Sequence, residues 1–124
     1  MTNEEKELLL KDLCARLPYG VKFKTKYKNH KDITYELLVI NKYCETVETD
    51  RAIWWNLEDI KPYLRPMSSM TLDEKLHIVD MESEKYSRSE YYTVYFDYLN
   101  SIHIDYRGLI SMGLALEAPE GMYS

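Results

Sequence analysis

Val21-Lys22-Phe23-Lys24-Thr25-Lys26-Tyr27-Lys28 alternates without a break. Val21, Phe23, Thr25 and Tyr27 share one parity, and four lysines share the other. A period of two puts apolar side chains on one face of a strand and charged ones on the other. The stretch therefore reads as a half-buried strand of an antiparallel sheet, with one face on a core and one on water. Asn29-His30-Lys31-Asp32 has the composition of a turn. Residues 33–43 are rich in β-branched and aromatic side chains and read as the returning strand of a hairpin. Residues 45–55 suggest one or two further short strands around a turn at Asp50.

The sequence on either side of this sheet is helical. Thr2 and Glu5 have the spacing of a capping box, and Glu4, Glu5 and Glu7 sit where the helix dipole favours acids. Leu9, Leu10, Leu13, Cys14 and Leu17 fall on one stripe, and Pro18 with Gly20 ends the pattern, so a first helix spans about 3–16. Asn56 is a candidate cap for a short helix over Leu57–Tyr63. Residues 62–70 form an irregular connector with two prolines. Thr71 and Glu74 make a second capping box, opening a helix over about 71–82 with Leu72, Leu76 and Val79 as its apolar stripe. A polar loop over 83–89 leads to a helix at about 90–103, on the spacing of Tyr92, Tyr95, Phe96, Leu99 and Ile102. Asp105 is placed to cap a last short helix through Met112, with Gly113 terminating it. The tail from Ala118 reads as loose. The expected fold is α+β, one domain over residues 1–124. Its small antiparallel sheet of three to four strands comes from the N-terminal half, packed by the N-terminal helix and two to three C-terminal helices.

Composition narrows the function classes. The chain has 124 residues and a net charge of −5. Residues 1–51 carry 10 basic and 9 acidic side chains, whereas residues 52–124 carry 6 and 12. This balance does not favour a whole-protein affinity for nucleic acid. There is no apolar run of the roughly 18 residues that a membrane span needs. The charged N-terminus lacks a signal peptide's apolar run, which points to a cytoplasmic protein with Cys14 and Cys44 as free thiols. The 12 tyrosines against 2 Phe and 2 Trp are unusual. Tyrosine suits half-buried positions and contact surfaces.

Three segments carry a resemblance. They are Leu10-Lys-Asp-Leu-Cys-Ala-Arg-Leu-Pro-Tyr-Gly-Val21, Leu57-Glu-Asp-Ile-Lys-Pro-Tyr-Leu-Arg-Pro-Met-Ser-Ser-Met-Thr71, and Asp105-Tyr-Arg-Gly-Leu-Ile110 with Gly113-Leu-Ala-Leu-Glu-Ala-Pro-Glu-Gly-Met-Tyr123. They resemble a family of short uncharacterised proteins of anaerobic gut bacteria and their phages and mobile elements. The resemblance implies a setting and no chemistry.

Catalytic patterns are sparse. His103 and Asp105 are a histidine and a carboxylate at short range, and zinc would want three or four ligands with supporting spacing. Neither cysteine sits in a nucleophile motif. Ser68 and Ser69 adjoin a helix start, and the pairs Glu58-Asp59 and Asp73-Glu74 lie in first turns. Four glycines in all leave no phosphate loop. No cofactor or metal is expected. The sharpest features are the lysine row (Lys22, Lys24, Lys26, Lys28) and Trp54, which together form a candidate partner-binding face. The leading expectation is a non-catalytic accessory protein acting through protein–protein interaction. The alternatives are a binder of nucleic acid or an acidic partner through the lysine face, and an enzyme whose site is assembled from distant residues.

Overall fold

The structure, a computed structural model, describes residues 1–27, 33–49 and 53–123. The α+β class holds, with six strands and three helices among the described residues. In chain order they are α1 (Asn3–Arg16), β1 (Lys22–Thr25), β2 (Tyr35–Asn41), β3 (Thr46–Thr49), β4 (Trp54–Asn56), β5 (Ile60–Leu64), α2 (Leu72–Glu82), α3 (Arg88–Ser101) and β6 (Leu116–Glu117). The sheet order is β4-β3-β2-β1-β5-β6. All neighbours are antiparallel except β5 and β6, which are parallel. The sheet is thus larger than the three to four strands expected, and mixed. The expected turn at 29–32 and the one at Asp50 lie outside the described residues.

The connection from β4 to β5 shapes the sheet. In a flat sheet, β4 and β5 would stand four strand spacings apart, about 19 Å. The chain between Asn56 and Ile60 reaches at most about 14 Å. The sheet must therefore curl until its far strands approach, giving a small, partly closed barrel. Ring contacts across it agree: Trp55 of β4 lies 5.7 Å from Tyr35 of β2 and 5.6 Å from Tyr27, just past β1. A register shift between Leu37 and Val39 bends β2 where the two halves of the barrel meet.

The expected short helix at 57–63 is corrected to one 3₁₀ turn, Leu57–Asp59, followed by β5. Ile60, Pro62 and Leu64 alternate inward as in any half-buried strand. Pro62 is tolerated because β6 pairs only with Tyr63 and Leu64, so the earlier part of β5 is an edge.

Helix α1 has the predicted capping box, with Thr2 Oγ1 accepting from the Glu5 amide and Glu5 accepting from the Thr2 amide. Leu9 and Leu13 are fully buried in the barrel core with Val21, Phe23, Tyr35, Leu37 and Leu64. Leu109, Leu114 and Ala115, from the segment after α3, join the same core. That segment is not the expected helix. It is a run of turns in which the Asp105 carboxylate accepts from the Leu109 and Ile110 amides at 2.9 Å each.

Two further expectations are corrected. The tail is not loose at its end: Tyr123 docks on the barrel. Its hydroxyl accepts from the Lys22 amide at 2.8 Å and donates to the Tyr63 carbonyl at 2.8 Å. The later helices do not cover the sheet. Neither α2 nor α3 contributes a residue to the barrel's core cluster. They form a hairpin that leans on the barrel, with Met81, Leu99 and Asn100 as its only buried residues.

Candidate protein-binding surface

Arg65, at the end of β5, holds the hairpin in place. Its guanidinium forms two 2.7 Å bonds to the Glu74 carboxylate in the first turn of α2. The same guanidinium donates to the carbonyls of Ser69 and of Ile102, which follows α3. Arg65 holds the Glu74 carboxyl down at about 2. One side chain thereby pins both ends of the hairpin to the barrel. Ser69 serves this turn, its hydroxyl donating to the Pro66 carbonyl, in line with the turn role its position suggested.

With its ends fixed, α2 has one orientation. At 100° per residue, Glu74, Ile78 and Met81 lie on one side, while Leu72, Leu76 and Val79 lie on the opposite side. The first set is buried or half-buried. The second set is in water: Leu72 is 70% exposed, Leu76 50% and Val79 55%. Contacts with α3 come from between the two sets, where His77 stacks on Tyr98 at 4.2 Å and Tyr91 donates to Glu82. The stripe read from the sequence is real, but it faces away from the core. On α3, Tyr92 and Phe96 form a second exposed row. Much of the tyrosine content gathers here, as a run of rings from Tyr91 through Tyr95 and Phe96 to Tyr106.

The lysine row divides. Lys22 stands opposite Glu36, donates to the Met122 carbonyl and lies over the Tyr123 ring. Lys26 pairs with Asp59 at 2.8 Å, and Tyr27 donates to the same carboxylate, so Asp59 is held below the usual carboxylate range. Lys24 faces Lys61 across the β1–β5 ladder, and neither has an ion pair among the described residues. Lys28 lies outside them. Glu45 pairs with Lys6 and not with the row. A cavity of about 400 Å³ beside the row is lined by Lys24, Lys26, Lys61 and Asp59.

Trp54 is 63% exposed at the sheet edge, and Trp55 is buried. Neighbouring residues of a strand point to opposite faces, which puts one ring inside and the other out. Val39, Glu48 and Trp54 are cross-strand neighbours in one row.

The interior holds what sequence reading missed. Asp12 and Arg16 are fully buried on α1, with Arg16 Nε 2.8 Å from the carboxylate. Arg16 also donates to the Ile104 carbonyl at 2.7 Å, and Arg107 reaches Asp12 at 3.1 Å. His103 is buried at a left-handed φ of 64°, stacked on Tyr123 at 3.7 Å. Burial, with Arg16, Arg65 and Lys22 nearby, pushes its imidazole down to about 4. Asp105 serves backbone amides, and His103 Nδ1 has no partner among the described residues.

A cleft of about 540 Å³ opens between residues 65–74 and the tail, lined by Arg65, Ser69, Thr71, Glu74 and Tyr123. Glu74 stays ionised and Tyr123, pushed up to about 12 by burial, stays neutral. Neither is poised near neutral pH, where general acid–base catalysis works best. Among the described residues, no group of three His, Cys, Asp or Glu could hold a metal ion. Among them too, no helix is long and apolar enough to cross a membrane.

Fold and surface together define a small barrel that carries an outward-facing helical hairpin. No protein-family model, curated protein or solved structure matches the chain.

Proposed function

We propose that this chain is a non-catalytic accessory protein of the cytoplasm that works by binding another protein, with the α2 face as its principal contact. The observation that carries the reading is the exposure of Leu72, Leu76 and Val79 on a helix held rigidly by Arg65. Burying a leucine side chain is worth about 1.5–3 kcal/mol, so three apolar side chains left in water favour a partner that covers them. The family resemblance adds a phage or mobile-element setting. Affinity capture from the native host tests the reading, comparing the wild-type chain with Leu76→Lys. Leu76 is exposed, so the variant keeps the wild-type circular dichroism spectrum. The expected result is a stoichiometric partner captured by the wild type and lost with Leu76→Lys. A partner retained by the variant places the interface elsewhere; no partner for either chain removes the reading.

A second reading rests on Lys24 and Lys61, a like-charged cross-strand pair with no ion pair of its own among the described residues. It makes the lysine face a binder of nucleic acid or another anionic partner. Two of the row's lysines are already occupied, so oligonucleotide binding is expected to be weak and unspecific. Fluorescence anisotropy with single- and double-stranded oligonucleotides checks this. Micromolar binding that weakens steeply with salt and vanishes in Lys24→Glu/Lys61→Glu favours the second reading.

A further inference from the structure

Resting on the protein-binding reading, the α2 face also indicates what kind of partner it fits. Between 67 and 101 the chain carries seven acidic and three basic side chains. Most of the protein's net charge of −5 therefore belongs to the hairpin. Helical geometry places Asp73 and Asp80 along one border of the Leu72–Leu76–Val79 stripe, and Glu82 with Lys75 along the other. The stripe is a narrow apolar seam three residues long, repeating at i, i+4 and i+7. That spacing accepts another helix laid along it.

We propose that the α2 stripe docks a basic amphipathic helix of a partner protein. The partner's apolar residues interleave with Leu72, Leu76 and Val79, and its Lys or Arg side chains flank Asp73 and Asp80. Charge decides against the other occupants. In an antiparallel two-fold pairing of α2 with a second copy, equivalent borders meet, so Asp73 and Asp80 face Asp80 and Asp73 of the other chain. Although Lys75 and Glu82 share the other border with their counterparts, two hairpins with seven acidic and three basic side chains each are brought together. Like charges set together across an interface suppress that partner. Nucleic acid and anionic lipid surfaces meet the same acidic border.

The test uses fluorescent helical peptides of about five turns. One alternates Leu anchors with Lys flanks, one has Glu in place of Lys, and one keeps Lys but has Ala in place of Leu. Binding to the full chain is read by anisotropy, and self-association by light scattering. The Leu/Lys peptide is expected to bind at least about tenfold more tightly than either control. It is expected to lose about tenfold in Leu76→Ser and severalfold in Asp73→Asn/Asp80→Asn. Equal binding of the three peptides, binding untouched by Leu76→Ser, or a dimer dissolved by Leu76→Ser each overturns the proposal. Failure of the peptides alongside a partner that Leu76→Lys loses leaves the protein-binding reading in place and removes only the basic helix. Failure of both removes the function itself.

Discussion

Asp12→Ala is expected to destabilise the protein by about 3–5 kcal/mol, the range for removing one partner of a buried ion pair. Asp12 and Arg16 have no exposure, and the carboxylate also holds Arg107. Arg16 keeps its bond to the Ile104 carbonyl when Asp12 is removed, but its charge is left in the interior without a counterion. Tyr106 does not compensate. Its ring lies under both guanidiniums, at 5.3 Å from Arg16 and 4.9 Å from Arg107, and a cation–π contact is worth far less than a buried counterion. A small domain has about 5–15 kcal/mol in all, so this one change removes a large part of it. Urea denaturation with a fixed m-value measures the loss. Replacing both members, Asp12→Leu with Arg16→Met, is expected to lose less than Asp12→Ala alone, because no charge is then stranded. A loss below about 1 kcal/mol for Asp12→Ala would mean that water reaches the pair.

The second large effect is a loss of stability in mild acid that belongs to His103. Its folded-state value is about 4, against 6.5 for the free side chain. Between those values the unfolded chain holds the proton and the folded chain does not. Stability from this group is therefore complete above pH 6.5 and declines as the pH falls toward 4. The full shift corresponds to about 3 kcal/mol. Burial sets the sign and the groups that face the ring reinforce it: Arg16 from α1, Arg65 from the end of β5 and Lys22 from β1 are cations, and Tyr123 is neutral. No acid among those neighbours rewards the imidazolium. Glu74 and Asp59, with lowered values, lose their contributions only at lower pH, so the windows separate. His103→Asn keeps the left-handed backbone, which asparagine tolerates. It is expected to flatten the stability profile between pH 6.5 and 4 while leaving the steeper fall below it. An unchanged profile in the variant would assign the mild-acid loss to other groups.

Local signals were legible where one element decides its own shape. The capping boxes at Thr2 and Thr71 mark both helix starts, because the bonds involved span three residues. The strand of alternating lysines, read over 21–28, forms over Lys22–Thr25, and Tyr27, read on its inward parity, lies past its end and is 45% exposed. Asp105 was recognised as a cap, though the amides it binds belong to turns. In the candidate surface, Trp54 is legible as an anchor and Leu72, Leu76 and Val79 as a stripe, whereas the outward direction of that stripe is not.

The sequence by itself determined the starts of α1 and α2, the inward parity of β1, and the apolar side of α2. Those follow from period and capping, which act within a few residues. Only the tertiary structure decided which apolar side is covered. Periodicity shows that a helix has an apolar face, but coverage depends on where Arg65 anchors its ends, and the bond from Arg65 to Glu74 turns the stripe of α2 outward. Asp12 and Arg16, four residues apart, have the spacing of an ordinary surface pair. They are buried because the segment after α3 closes over them through Ile104 and Arg107. Tyr123 ended a tail with no local pattern, and it docks because the Lys22 amide and the Tyr63 carbonyl meet at one point of a curled sheet. Each of these depends on contacts made across dozens of residues, and no short-range signal encodes them.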